Sequence, residues 1–346
     1  MRILFVSTDF APVPPPTYGG IERVVAEVAS GMARRGHSCA LLAAEGSCLD
    51  GIEGHAWEPP RRVPRGLAHG LQVRETARRF RADLVHSFGE TKWMLPWALT
   101  GGRGLISYGV LPQGRIRFVS AVLGDRVLMA GCSDYISREG RALVGGHWRT
   151  AYNCVDVAKY RMVPAVPADA PLVFLSRIDP IKGTHIAIDL AQRAGRRLVI
   201  AGNHVETGES GDYWRARVRP RLNGSTVEYV GPVNDAQKNA VLGAAAAILV
   251  PIQWDEPFGL VFIEALACGT PVISFARGAL PEIVRHGVDG FLGNDPDDLF
   301  RAIGRIREID RQVCRRRVEE CFSTEQTLDR YELLYAELSG RQALRA

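Results

Sequence analysis

Paired-cysteine motifs, long apolar runs and lysine are what this sequence is short of. Its seven cysteines, at 39, 48, 132, 154, 268, 314 and 321, are odd in number and contain no Cys-x-x-Cys. That pattern argues against a disulfide framework and a structural zinc site, and leaves reduced thiols. No stretch approaches eighteen uninterrupted apolar residues, so no membrane-spanning helix is expected. The chain opens directly on "RILFVST", a strand-like run without the charged start, apolar core and small-residue cleavage site of a leader. A soluble, cytoplasmic protein is the expectation. Lysine supplies only four of the 43 basic residues. The arginines are dispersed through helical patterns rather than set in a stripe with aromatics, which argues against nucleic acid as a partner.

What is present suits two globular cores. At 346 residues and 46% hydrophobic, length favours two domains over one. The N-terminal part alternates strand-like "RILFVST", "SCALLAA" and "DLVHS" with amphipathic segments such as "IERVVAEVASGMARRGH", the βαβα rhythm of a parallel sheet covered on both faces. The pattern loosens at "DVAKYRMVPAVPADAP" and restarts at "LVFLSR", "RLVIAG", "TVEYVG", "AAILVP" and "PVIS". We therefore expect an α/β fold of two doubly wound Rossmann-like domains facing across a cleft. Residues 1–164 form the acceptor-side domain, 165–322 the ligand-binding domain, and 323–346 a terminal helix docking back toward the first. Such sheets bind ligands beyond the carboxyl ends of their strands. Charge is uneven: residues 1–165 carry 21 Lys and Arg against 14 Asp and Glu, the remainder 22 against 24. A basic first half suggests an anionic acceptor or peripheral contact with a membrane surface; an arginine-rich composition is the plainer alternative.

One residue looks misplaced. In "WDEPFGLVFIEALACGTPVI", Glu264 interrupts a run that is otherwise oily around most of a helix. A carboxylate there must be protonated, paired or holding a ligand. Glu256 stands just before the helix, and Gly259 would let backbone approach closely. Two acids gripping hydroxyls, with the N–H groups from Phe258 through Gly259 and Leu260 to Val261 facing an anion between them, describe a sugar nucleotide. Arg177 ends a strand and Lys182 follows the turn "DPIKG", where two cations could stabilise a departing diphosphate. Gly19 and Gly20 open a helix after a proline-rich loop; they could bring backbone against phosphate or form a plain turn. Asp295 and Asp297 in "NDPDDLF" mimic a metal-binding Asp-x-Asp, but helix capping explains them. No metal or other cofactor is expected.

"EPFGLVFIEALACGTPVI" strongly resembles the signature of family 4 retaining glycosyltransferases of the GT-B architecture, and "YGGIERVV", "DLVHS", "AYNCVD", "SRIDPIKG" and "GALPEIVRHGVDGFL" extend the likeness over nearly the whole chain. The resemblance implies that Glu256 bonds the donor sugar and Glu264 the ribose, that Phe258–Val261 hold phosphate and sugar, and that Arg177 and Lys182 neutralise the diphosphate. It also implies a UDP-sugar donor, with backbone near Val230 and Gly231 reading the base, and a sugar, lipid-linked or natural-product acceptor. His86, at the end of "DLVHS", matches a family position lining the acceptor side, although a lone strand-end histidine is often structural. Where the family has a further histidine, this chain offers Tyr108 or Gly109; Tyr108 would supply a phenolic hydrogen bond, or the contact is lost. Cys154 replaces the usual glycine of "NGVD". Epimerase or phosphorylase chemistry on the same frame, a glycoside hydrolase, and a non-catalytic nucleotide-sugar sensor remain the alternatives.

Overall fold

A computed structural model describes residues 1–16, 19–58 and 63–340, the side chain of Arg115 apart. The described chain divides into two compact units, 1–154 with 324–340 and 155–323.

The first unit carries seven strands: β1 (Arg2–Val6), β2 (Ser38–Ala43), β3 (Glu53–Ala56), β4 (Leu84–Ser87), β5 (Gly104–Tyr108), β6 (Val127–Gly131) and β7 (Trp148–Thr150). They form one sheet in the order β3-β2-β1-β4-β5-β6-β7, every pairing parallel. The second unit carries β8 (Leu172–Leu175), β9 (Leu198–Ala201), β10 (Val227–Gly231), β11 (Ala247–Leu249), β12 (Val272–Phe275) and β13 (Gly290–Gly293). Their order is β10-β9-β8-β11-β12-β13, again wholly parallel. Both sheets reverse direction beside their first strand, β1 or β8, which is the doubly wound pattern expected. Central strands such as β8 and β12 are buried on both faces and read as unbroken apolar runs. Edge strand β3, "EGHA", has no such run and carried no strand signal.

Two features of the units differ from local composition. The proline-rich stretch at 164–171 does not mark the division, which falls at Cys154 and Val155. Residues 155–163 are tied to the second unit by Val155 N–H to Phe322 O at 3.0 Å and Val163 N–H to Cys268 O at 3.0 Å. Prolines report where a chain turns; hydrogen bonds to distant residues decide which core it joins. The terminal helix, Thr324–Ser339, packs in the first unit. It buries Leu328, Tyr331, Leu334, Tyr335 and Leu338, the stripe expected of it. Arg35 straps it by contacts of 2.6 to 2.8 Å to Glu325, Asp329 and Glu332.

The second unit has its own polar keystone. Arg311 is only 7% exposed, and its guanidinium donates to Val163 O, Ala245 O, Gly243 O and Thr270 Oγ1 at 2.7 to 2.9 Å. Replacing it leaves several buried acceptors unpaired, each a desolvation penalty. Arg311→Leu should therefore lower stability in urea unfolding by about 3 kcal/mol or more; a change below 1 kcal/mol would show these bonds to be dispensable.

Candidate functional site

Because all six strands of the second sheet are parallel, the loops after β8, β9, β10, β11 and β12 emerge at one edge. Arg177 follows β8, and the turn Pro180–Lys182 is capped by Asp179, whose Oδ1 accepts from Ile181 N–H at 3.2 Å. Glu256 lies in the loop after β11. The apolar helix itself runs Leu260–Ala267, with Gly259 as its cap in the left-handed region at φ 85°. Glu256 is thus outside the helix, as expected. A side chain at Gly259 would meet strain from that φ and, 2.6 Å from its Cβ, the ring of Phe262. Leu260 and Val261 open the helix, where backbone N–H groups have no carbonyl one turn back.

Both glutamates are buried, Glu256 at 7% and Glu264 at 9% exposure, and both are paired in the same way. Lys182 Nζ lies 2.6 Å from Glu256 Oε2, which also accepts from Trp254 Nε1 at 2.8 Å. Lys238 Nζ lies 2.5 Å from Glu264 Oε1, which also accepts from Tyr160 Oη at 2.9 Å. Each lysine sits over the ring of its aromatic partner, 5.1 Å from Trp254 and 5.8 Å from Tyr160. Two donors therefore converge on a single oxygen of each acid. Among the described residues, Oε1 of Glu256 and Oε2 of Glu264 accept no hydrogen bond and remain open to hydroxyl groups. Burial, and then the neighbouring Glu264 charge, push the Tyr160 phenol up, so it stays a donor.

Arg177 and the end of β10 lie at the same edge of the sheet. Arg177 Nη2 is 3.4 Å from Asp179 Oδ2, its side chain 40% exposed, and its Nε is buried with no acceptor. An unsatisfied buried donor next to an exposed cation is what an incoming anion would complete. Val230 and Gly231 close β10 at the same edge; Val230 is exposed and Gly231 O accepts from Gly202 N–H at 2.9 Å. Behind them His204 stacks on Trp214 at 4.1 Å and bonds Tyr229 Oη at 2.9 Å. The Asp-x-Asp pair is structural: Asp295 caps its helix by accepting from Asp298 N–H at 2.9 Å, and Asp297 pairs with Arg193 at 2.5 Å.

The two acceptor-side candidates of the first unit lie in its core. His86 is fully buried, with Nδ1 at 2.7 Å from Tyr335 Oη and Nε2 at 2.8 Å from Ser107 Oγ. Its ring stacks on Phe88 at 4.4 Å. It joins the terminal helix to the sheet, with both ring nitrogens bonded inside the core. Tyr108 is buried too; its hydroxyl bonds Thr91 Oγ1 at 2.6 Å and its phenol is pushed up to about 12 by burial. That group is committed to Thr91 rather than offered to a ligand. Gly109, the other residue at that position, is half-buried, and a Cβ there would lie 3.5 Å from Ile21.

Gly19 caps the helix Gly20–Arg34, and a Cβ on it would come 2.7 Å from Pro15. Close packing accounts for that glycine. Tyr18 of the same motif lies outside the described residues. Sequence reasoning missed Lys238, Tyr160 and Trp254; the available signal was composition, since Lys182 and Lys238 are two of only four lysines.

Residues 163–319 match the family of glycosyl transferases group 1, and residues 18–108 match glycosyltransferase family 4. Each half of the chain thus matches a glycosyltransferase family model. It is 38% identical over 151 residues to D-inositol 3-phosphate glycosyltransferase of Mycolicibacterium paratuberculosis, 42% of this chain and 34% of that one. The match thus spans about a third of that relative's length. Among solved structures, sucrose-phosphate synthase from Thermosynechococcus elongatus aligns with TM-score 0.81 at 20% identity, covering 98% of this chain and 100% of that one. Anabaena HepE, solved in complex with UDP, aligns with TM-score 0.78 at 19% identity, covering 97% and 100%. At those identities the likeness is one of fold, and it extends over both units. No helix among the described residues is long and apolar enough to cross a membrane.

Burial depresses His86 from 6.5 to about 3. Between those values the unfolded chain binds a proton that the native state does not, so stability falls as pH drops below 6.5. The share from this residue is about 1.4 kcal/mol per pH unit. His69 and His185, also pulled down by burial, add their own. Urea unfolding from pH 6 to 4 should show a shallower slope in His86→Asn by that amount; an unchanged slope would mean the imidazole titrates normally in the folded protein.

Proposed function

We propose that this chain transfers a sugar from a nucleoside diphosphate sugar, UDP-linked in the first instance, to an acceptor hydroxyl with retention of configuration and without a metal. The observation that carries this reading is the paired burial of Glu256 and Glu264. Each is neutralised by a lysine at one oxygen and open at the other, on either side of a helix start at the sheet's carboxyl edge. Two such acids suit the two polyol ends of a sugar nucleotide, hexose at Glu256 and ribose at Glu264. The intervening N–H groups of Leu260 and Val261 suit its phosphates.

Arg177 and Lys182 have the charge to stabilise the departing diphosphate. In this reading the bond from the anomeric carbon to the diphosphate breaks while a bond to the acceptor oxygen forms on the same face. The acceptor's proton passes to the leaving phosphate oxygen. Lys182 would then be shared between Glu256 and phosphate, coupling sugar position to leaving-group charge. Val230, exposed, and Gly231, half-buried, stand at the edge where a base would lie. Support for uracil comes from family resemblance and from HepE, whose structure contains UDP.

The acceptor is a sugar, lipid-linked or natural-product hydroxyl compound, and the positive excess of the first half suits an anionic one or one presented at an anionic membrane surface. The curated relative named above acts, by its name, on an inositol phosphate. With His86 and Tyr108 bonded inside the core, this reading looks for acceptor contacts among other residues at the carboxyl edge of the first sheet.

A thermal-shift screen of UDP-, GDP-, ADP- and TDP-sugars tests donor class, since a ligand bound only by the native state raises the midpoint with affinity. One sugar nucleotide should stand out; no shift with any would end this reading. Glu264→Ala should weaken nucleotide binding about tenfold or more. Glu256→Ala should leave nucleoside diphosphate binding within about threefold while cutting turnover by about a hundredfold. Wild-type transfer rates in both variants would overturn the site.

A further inference from the structure

We propose that Lys238 and Tyr160 are positioning residues that aim the open oxygen of Glu264 at a vicinal diol of the nucleotide's ribose. This rests on the reading above, in which Glu264 meets the pentose.

Glu264 projects from a helix whose other residues are apolar, and its side chain is 11% exposed. An ion so buried requires a counter-charge and a full set of hydrogen bonds. Lys238, 13% exposed, supplies the charge from the helix Asp235–Ala244. That helix is fixed at its start by a reciprocal cap between Asn234 and Gln237. Its remaining acidic neighbour, Asp235, is 3.5 Å away on the surface. Tyr160 supplies the second donor from the segment that enters the second unit.

The two donors are not independent. Asn239, next to Lys238, donates through Nδ2 to Lys159 O at 2.5 Å and accepts at Oδ1 from Arg161 N–H at 3.1 Å. Arg315 Nη1 bonds Tyr160 O at 2.7 Å. One helix therefore carries the lysine and holds the tyrosine's backbone on both sides, so the two donors and the carboxylate move as a block. Both donors reach Oε1. With that oxygen occupied from two directions the carboxylate plane is set, and Oε2 is presented in one orientation. A single oriented carboxylate oxygen matches a pair of adjacent hydroxyls. Packing alone gives no reason for the arrangement, because apolar residues of similar volume are usually at least as stable as a buried ion pair.

The test is isothermal titration of the whole chain with UDP, 2′-deoxy-UDP and 3′-deoxy-UDP, using the GDP or ADP series if the donor screen selects those bases. Wild type should prefer the ribonucleotide about tenfold. Tyr160→Phe, which removes one oxygen, and Lys238→Met should each cost most of that preference while leaving affinity for the deoxy forms within about twofold. Lys238→Arg should restore it, since the charge returns. If both variants keep the wild-type ratio and lose only thermal stability, the pair is structural and the inference is overturned. Wild-type binding with equal affinity for ribo and deoxy forms overturns it as well, leaving nucleotide binding intact. No binding of any nucleoside diphosphate removes the donor reading and this inference together.

Discussion

Two carboxylates held inside the second unit are the constraint around which its chemistry is arranged. Neither Glu256 nor Glu264 could remain ionised at such burial without a partner, and each has a lysine within 2.6 Å. The ion pairs are not stabilising devices in themselves, since desolvation of two charges consumes most of their attraction. Each lysine works with an aromatic donor, Trp254 or Tyr160, at one oxygen, and the other oxygen accepts no hydrogen bond among the described residues.

The remaining parts of the unit follow from that need. Parallel strands bring Arg177, Val230, Gly231 and the loop of Glu256 to one edge, although they are separated by as many as 79 positions in sequence. Gly259 permits the turn that takes the chain from Glu256 into the helix of Glu264. Arg311, bonded to four acceptors from three segments, ties the entering segment at Val163 to the loops at 243–245 and Thr270. The first unit solves a different problem with similar means. Its buried polar centre, His86 with Ser107, Tyr331 and Tyr335, fastens a terminal helix to the sheet. The depressed histidine is a neutral hydrogen-bonding spacer there.

Much of this was legible beforehand. The alternating runs announced two parallel sheets, and the apolar stripe of the last helix announced its docking. The glutamate in an oily helix, with cations after "LVFLS" and "DPI", pointed to an anionic polyol ligand. What was not legible depended on partners far away in the chain. His86 lies near the end of its strand as a site residue would, and distant partners, Tyr335, Ser107 and Tyr331 among them, make it a core residue. Tyr108 is similarly claimed by Thr91. Lys238 sits in an ordinary amphipathic helix, and nothing adjacent to it in sequence suggests Glu264, 26 positions on.

By itself, the sequence determined periodicity, turn chemistry and the presence of charges where burial was to be expected, because those are properties of neighbouring residues. It thereby settled the fold class of both units. Tertiary structure alone decided which charges neutralise each other, which oxygen of each glutamate stays open, and which polar strand-end residues are absorbed into the core. Those outcomes are set by distances between segments that hydrophobic burial brings together, and no local pattern encodes them.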